Sequence, residues 1–121
     1  MNLAKIKEIL KADLIVGSSL EREIKMICAC DLMSDVLSCV QTRFSSLLLT
    51  NLIHPQTVRT AEIAEIPAIC FMRGKEPQDL TMDLAKKNDI VLLSTSFSLY
   101  EASGRLYEEG LPGCGEYREA K

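Results

Sequence analysis

Residues 47–93 read LLLTNLIHPQTVRTAEIAEIPAICFMRGKEPQDLTMDLAKKNDIVLL, and this stretch decides the fold. One pattern occurs twice in it: an apolar run, a polar loop, a proline, an amphipathic segment and another apolar run. Each apolar run is short enough for a strand buried on both faces, and Pro55 and Pro77 each stand where the first helical turn accepts a residue without an N–H. Two consecutive βαβ units are predicted, and because such crossovers are right-handed their strands should lie parallel.

Weaker patterns flank this stretch. Before it, they predict an opening helix capped by Asn2 and strands at Asp13–Gly17 and around Ile24–Cys28. Next comes a helix capped by Asp31, with an inner face made of Leu32, Val36, Leu37 and Val40. After it, they predict a last helix from Leu99 to about Glu109, which is capped by Ser98 and ended by Gly110. The first two strands are too close in sequence for a helical crossover. They either pair antiparallel or lie in different parts of the sheet, so we expect a mostly parallel, mixed sheet in an α/β domain.

Composition limits the class of protein. With 121 residues, 47% of them hydrophobic and 26% charged, the chain has the size and balance of one globular domain. We expect an α/β domain over residues 1–111 and a flexible tail over residues 112–121. A net charge of −3 disfavours nucleic-acid binding. No apolar run approaches the length of a membrane span or a signal sequence, so we expect a cytoplasmic protein that does not bind membranes.

The cysteines indicate a reducing compartment. There are five, an odd number without CxxC spacing, and most are expected to act as small hydrophobic residues: Cys28, Cys30, Cys39, Cys70 and Cys114. Cys114 differs, because its position in the tail predicts an exposed thiol. A metal site made of Cys28, Cys30 and His54 is disfavoured, since the usual ligand spacings are absent. No metal or cofactor is predicted.

Polar residues follow the predicted strands and form the candidate binding site. Hydroxyls, amides and two cations beside helix N-termini suit a phosphate or carboxylate better than bond breaking. Arg73 would make a two-pronged contact with the anion, and Lys75 would act as a point charge. The candidate ligand-binding residues are Asp31, Thr50, Asn51, His54, Arg73, Lys75, Ser94 and Thr95; Gly17, Ser18, Ser19, Asp35, Gly74, Ser96 and Ser98 also follow strands.

Catalysis is not indicated. His54 is the sole histidine, but it directly precedes Pro55 and has no recognisable nucleophile partner, so a loop or capping role is favoured over a general base. Asp31 and Asp35 could hold Mg²⁺, although a helix cap and a surface carboxylate explain them better. The sequence has no GxxxxGK[ST], GxGxxG, HExxH or GxSxG motif, which argues against nucleotide hydrolysis and kinase chemistry.

Four segments resemble the stand-alone DRTGG-domain proteins: residues 29–37, residues 48–62, residues 66–69 with 73–75, and residues 91–95 followed by 100–102. These proteins are similar to the N-terminal domain of HPr kinase/phosphorylase and to the DRTGG domains of phosphotransacetylases and regulatory pyrophosphatases. Two steps of the motif differ here. Where the motif has Asp-Arg, this chain has Asp31-Leu32, and where the motif has Thr-Gly-Gly, this chain has Thr50-Asn51-Leu52. A side chain therefore occupies space that glycine would leave open.

The resemblance implies an α/β/α sandwich, a regulatory or ligand-sensing role and self-association as a homodimer. The function expected is a non-catalytic module that binds a phosphate-containing or nucleotide metabolite. The alternative is a dimerisation or docking module for a partner enzyme, using the last helix through Leu99, Tyr100, Leu106 and Tyr107. A small hydrolase or transferase using His54 and a serine from Ser94 to Ser98 is a distant third.

Overall fold

Helices and strands alternate along the chain, apart from two consecutive strands near its start. A computed structural model describes residues 1–38 and 45–114. The elements are α1 (Leu3–Ile9), β1 (Asp13–Val16), β2 (Met26–Ala29), α2 (Met33–Ser38), β3 (Ser46–Thr50), α3 (Pro55–Ile63), β4 (Ala68–Phe71), α4 (Asp79–Lys87), β5 (Val91–Ser94) and α5 (Leu99–Glu108). In this part of the chain, none of the helices is long and apolar enough to cross a membrane.

The five strands form one mixed sheet in the order β1-β5-β4-β3-β2. β2 to β5 are parallel, and Leu47 pairs with Ala68, which in turn pairs with Val91. Both βαβ units are therefore confirmed. β1 is antiparallel to β5, where Asp13 pairs with Ser94. Of the two arrangements left open for the first two strands, the second is correct: β1 and β2 lie at opposite edges of the sheet.

The central strands are buried on both faces because helices cover each side. Alternate residues point to opposite layers: Leu47 and Leu49 pack with the α1 and α5 side chains, whereas Leu48 packs with those of α2, α3 and α4. The first layer includes Leu3, Ile6, Ala102 and Leu106, and the second includes Val36, Val58, Ala61 and Ala85. The predicted α/β/α sandwich is confirmed.

Most predicted helix ends are correct. Asn2 accepts a hydrogen bond from the Lys5 N–H, Ser98 accepts one from the Glu101 N–H, and Pro55 is the first residue of α3. Pro77 is an exception, because α4 begins at Asp79 with Gln78 as its N-cap residue. The second proline therefore precedes the helix and does not form its first turn.

Helix α2 departs from the prediction in two ways. Asp31 does not cap it, since its carboxylate turns toward the end of β3, as described below. The expected inner face is also only partly correct: Val36 is buried, but Leu32 and Leu37 are 58% and 48% exposed. Cys39 and Val40, which were expected to continue this helix, lie outside the described residues.

The chain after α5 returns to the sheet. Pro112 accepts a hydrogen bond from the Ile27 N–H, and the Cys114 N–H donates to the Ile27 carbonyl, so Gly113 forms a parallel bridge with β2. Cys114 is only 2% exposed, and the expectation of an exposed thiol is wrong because this pairing buries it. Residues 115–121 lie outside the described residues, and the division into a domain and a tail stays a prediction.

Candidate functional site

The carboxyl ends of β2, β3, β4 and β5 lie at one edge of the sheet, which we call the strand-end edge. The loops that follow β3, β4 and β5 are joined there by backbone hydrogen bonds: the Met72 N–H donates to the Thr50 carbonyl, and the Gly74 N–H donates to the Thr95 carbonyl. The parallel register thus brings the predicted polar residues of these loops to one side of the molecule.

The residues after β1 lie elsewhere. Because β1 is antiparallel to β5, its carboxyl end points away from the strand-end edge, and Gly17 packs against Val91 at the start of β5. The expectation that Gly17, Ser18 and Ser19 join the site is therefore wrong. Lys11 and Asp13, which precede or begin β1, lie at the strand-end edge instead.

Asp31 forms the centre of a hydrogen-bond network with the end of β3, which we call the Asp31 cluster. Its Oδ1 accepts from the Thr50 hydroxyl at 2.9 Å and from the Asn51 N–H at 2.7 Å, and its Oδ2 accepts from the Asn51 side-chain amide at 3.1 Å. The Thr50 hydroxyl also accepts from the Leu52 N–H at 3.2 Å. The two positions that retain the motif residues, Asp31 and Thr50, are therefore in direct contact.

The cluster favours an ionised carboxylate. Partial burial raises the pKa of Asp31, but the Asn51 backbone and side-chain hydrogen bonds, the Thr50 hydroxyl and the charge of Lys75 oppose it. Together these interactions hold the pKa below the ordinary value of 3.8. The electrostatic contribution also shows that Lys75 lies near Asp31, although no direct ion pair joins them among the described residues.

One polar atom of the cluster is unpaired. The Asn51 Oδ1 is buried and accepts no hydrogen bond within the described chain, while the amino group of the same amide donates to Asp31. A buried acceptor without a donor costs free energy. The resemblance places the first glycine of the motif at this position, where Asn51 introduces this acceptor.

The loop of Arg73, Gly74 and Lys75 is held rigidly against the chain after β5. The Arg73 N–H donates to the Phe97 carbonyl at 2.9 Å, the Gly74 N–H to Thr95 at 2.7 Å, and the Ser94 hydroxyl to the Lys75 carbonyl at 3.2 Å. Arg73 has a φ of 61°, a conformation that is unfavourable for a residue other than glycine. Both cationic side chains remain exposed.

Several predicted ligands are used inside the fold. The Thr95 hydroxyl is buried, donates to the Leu10 carbonyl at 2.6 Å and accepts from the Phe97 N–H at 3.3 Å. The hydroxyls of Thr50 and Ser94 have the partners given above. These three side chains therefore position the loops, while Arg73 and Lys75 project into solvent.

His54 lies beside the start of a neighbouring helix. It is exposed and occupies the N-cap position of α3 in an extended conformation, as expected for a residue before proline, but its ring makes no capping bond. Its Nδ1 lies 3.3 Å from the Nε2 of Gln78, the N-cap residue of α4, which also lacks a side-chain cap. The Ile53 carbonyl ties the two helix starts together by accepting from the Gln78 N–H and the Thr81 hydroxyl.

A small cleft lies at one end of the strand-end edge, and the topology explains its position. Open α/β sheets bind ligands in a crevice where the strand order reverses. Here β2 to β5 follow one another in order, and their crossover helices all lie on one face. A cleft of about 220 Å³ lies instead beside the junction of β5 with antiparallel β1, lined by Lys11, Asp13, Ile15, Gly74, Glu76, Ser94, Thr95 and Ser96.

Sequence reasoning missed Lys11, Asp13 and Gln78 at this edge. Lys11 and Asp13 belong to it only because β1 is antiparallel, an arrangement that the sequence left open. Gln78 directly follows Pro77, and its position just before the predicted helix could have identified it. In the described ranges, no three histidine, cysteine or acidic side chains are grouped closely enough to hold a metal ion.

The architecture defines an α/β/α sandwich with a polar strand-end edge. It is similar to the crystal structure of the CBS and DRTGG domains of the regulatory region of Clostridium perfringens pyrophosphatase, complexed with its activator diadenosine tetraphosphate. The TM-score is 0.63 at 15% sequence identity, over 98% of this chain and 50% of that chain. No family model matches the sequence, and no curated protein matches it significantly. The chain thus has a DRTGG-like fold and spans half the length of that structure.

Proposed function

We propose that this chain is a non-catalytic regulatory module that binds a small phosphate-containing metabolite, such as a nucleotide, at the strand-end edge. The observation that carries the proposal is the loop of Arg73, Gly74 and Lys75. Three hydrogen bonds fix this loop in a strained conformation, yet its two cationic side chains are left exposed. Because the backbone of the loop is already fixed, only the two side chains lose conformational freedom when they bind an anion.

The electrostatics of the edge support this choice. Helices α3 and α4 both begin there, and neither N-terminus is capped by its own N-cap side chain. The positive end of the α3 dipole therefore adds to the charges of Arg73 and Lys75, whereas Asp79 in the first turn of α4 offsets the dipole of that helix. Asp31 is already occupied by Thr50 and Asn51, so its role in the proposal is to position the end of β3.

The structural neighbour supports the regulatory part of the proposal. The Clostridium perfringens structure is the regulatory region of a pyrophosphatase and holds a nucleotide activator, diadenosine tetraphosphate. This chain spans half of that structure. A related role here would be to sense a phosphorylated metabolite for a partner enzyme.

Inorganic pyrophosphate is a suitable probe, because it carries the charge without a base or sugar. We expect it to raise the melting temperature of the full chain by several degrees, since a ligand that binds only the folded state stabilises it. Isothermal titration calorimetry of Arg73→Ala and Lys75→Ala should show affinity at least about tenfold weaker.

Lys87→Ala is the matched control. It removes the same charge from the last turn of α4, at the opposite end of that helix, and should change the affinity less than about twofold. Equal losses in Lys75→Ala and Lys87→Ala, or no stabilisation of the wild type by pyrophosphate, would contradict the proposal.

A protein-interaction module is the second candidate. The last helix offers less apolar surface than expected, because Leu106 is buried and Leu99 packs against the core. The helix layer on the opposite face carries the exposed aliphatic side chains that favour this role: Leu32, Leu37, Ile63 and Leu80. We expect sedimentation velocity to show a homodimer that Leu37→Ser weakens, and a monomer at every concentration would contradict this candidate.

A His54-dependent enzyme is the least favoured reading. The His54 ring is paired with Gln78, and the Ser94 hydroxyl donates to a backbone carbonyl. In the described chain, these hydrogen bonds do not join a base to a nucleophile.

A further inference from the structure

A groove of about 660 Å³ lies at the β2 edge of the sheet, apart from the Arg73 loop. Its walls come from α2 and α5, and its base comes from β2 and the chain that returns after α5. The described lining residues that matter for a ligand are Ala29, Asp35, Tyr100, Gly104 and Tyr107. This volume is in the range of small-molecule sites.

Helix α5 presents two aromatic rings to this groove with a gap between them. Tyr100 and Tyr107 are 90% and 73% exposed, although large aromatic side chains are usually covered. They are seven residues apart and so lie on the same face of the helix, with Gly104 between them. A side-chain carbon built at Gly104 would meet no atom within 4 Å, which leaves an open slot between the rings.

The β2 edge supplies a backbone donor and acceptor that no described residue pairs. On the outer side of β2, the Ile27 N–H donates to the Pro112 carbonyl and the Ile27 carbonyl accepts from the Cys114 N–H. The Cys30 N–H points to the opposite side and donates to the Leu49 carbonyl in β3. By this alternation the N–H and carbonyl of Ala29 face away from β3, toward the groove. Neither has a partner in the part of the chain that the structure describes. A donor and an acceptor side by side match the edge of a nucleobase.

The charge of the described groove lining disfavours an anionic ligand. Asp35 is the one charged residue among the described lining residues, and the remaining polar groups are hydroxyls and thiols. A phosphate would find no cation among these described residues. A carboxylate and a backbone carbonyl instead accept hydrogen bonds from ligand N–H and O–H groups.

We propose that this groove is a binding site for a flat, uncharged purine-type ring, such as the base of a nucleoside. The ring lies in the slot at Gly104 against Tyr100 and Tyr107, and its polar edge pairs with the N–H and carbonyl of Ala29. Asp35 accepts from the remaining donor groups of the ligand. This site does not depend on the phosphate site proposed at the strand-end edge.

Adenosine is the probe, with ¹⁵N-labelled full-length protein followed by NMR. We expect adenosine to shift the amide signals of Ala29 and Gly104 and to leave that of Lys75 unchanged, whereas pyrophosphate should do the reverse. N6,N6-dimethyladenosine, which lacks the amino donor, should bind about 3- to 10-fold more weakly than adenosine. The two probes therefore separate the failure of this proposal from the failure of the phosphate site.

Gly104→Leu is the decisive variant. It fills the slot and replaces glycine within a helix, so it should raise the melting temperature while it weakens adenosine binding at least about tenfold. Tyr107→Ala should weaken binding about 5- to 100-fold, and Tyr107→Phe, which keeps the ring, should bind like the wild type.

Two results would overturn the proposal. The first is an absence of adenosine-dependent shifts at Ala29 and Gly104 in the wild type. The second is adenosine affinity unchanged by Gly104→Leu, which would place the ligand outside the slot even if the protein binds it.

Discussion

Asp31 and Asn51, twenty positions apart in the sequence, are joined by two hydrogen bonds to one carboxylate. The Asn51 N–H donates to Oδ1 at 2.7 Å, and its side-chain amide donates to Oδ2 at 3.1 Å. This contact connects the ends of β2 and β3 at the strand-end edge. It also makes Asp31, which the sequence presented as a helix cap, a residue that positions a neighbouring loop.

Asp31→Asn should destabilise the protein by about 1 to 2 kcal/mol near neutral pH, because hydrogen bonds to a charged acceptor are lost at a site that water still reaches. The folded pKa of Asp31 lies below the ordinary 3.8, so its stabilisation is complete above that value and is lost as the pH falls through the folded pKa. Urea denaturation should therefore show the difference between wild type and variant shrinking below about pH 4.

Asp83→Asn is the control for that experiment. Asp83 is an exposed residue of α4 with no side-chain hydrogen bond recorded within the described ranges, and its replacement should change stability by less than about 0.5 kcal/mol. If the difference in unfolding free energy between wild type and Asp31→Asn did not change with pH, the carboxylate charge would contribute nothing to stability.

Thr95→Val should destabilise the fold by about 1 to 3 kcal/mol. The valine keeps the volume but leaves the buried Leu10 carbonyl without the 2.6 Å hydrogen bond that the Thr95 hydroxyl donates. Thermal or chemical unfolding would measure the loss. Ser96→Ala, at an exposed position next to it, should have an effect within about 0.5 kcal/mol, and equal effects in the two variants would rule out this explanation.

Two glycines should respond to alanine with opposite signs. Gly17 has a φ of 108°, and a side-chain carbon there would lie 3.0 Å from the Val91 Cγ2, so Gly17→Ala should destabilise by about 1 to 3 kcal/mol. Gly104 is helical and has open space around it, so Gly104→Ala should stabilise by up to about 1 kcal/mol. Melting temperatures that moved in the same direction would contradict this contrast.

The thiols should react in order of burial. Burial raises the pKa of Cys70 to about 12, so almost no thiolate forms at pH 8 and iodoacetamide should modify Cys70 only after unfolding. Cys30 is only partly buried and should react in the native protein. Peptide mass spectrometry of the native and urea-unfolded protein would measure both, and native labelling of Cys70 ahead of Cys30 would show that the core opens readily.

The sequence predicted the parallel core well because its signals are local and repeat. The three apolar runs after residue 46 became β3, β4 and β5 within one or two residues of the expected bounds, and the caps Asn2 and Ser98 were correct. Short runs of large aliphatic residues between helical patterns have few other ways to become buried. The same logic placed Asn51, Arg73 and Ser94 at one edge of the sheet.

The errors arose where a residue's partner is distant in the chain. Asp31 reads as a cap because aspartate before a helix usually is one, yet Thr50 and Asn51 offer it three donors. Cys114 reads as part of a mobile tail, but pairing of residues 112–114 with Ile27 buries it. Neither partner leaves a signal in the local sequence.

The sequence alone thus determined the two βαβ units and the polar character of the strand-end edge, since hydrophobic period and helix-end chemistry depend on neighbouring residues. The α/β/α layering was expected from the resemblance to DRTGG-domain proteins. The tertiary structure decided the placement of β1 at the edge beyond β5, which removes Gly17 from the site and adds Lys11 and Asp13. It also decided the groove beside α5. These features depend on which strands become neighbours and which backbone groups remain unpaired, and both are settled only when the whole sheet assembles.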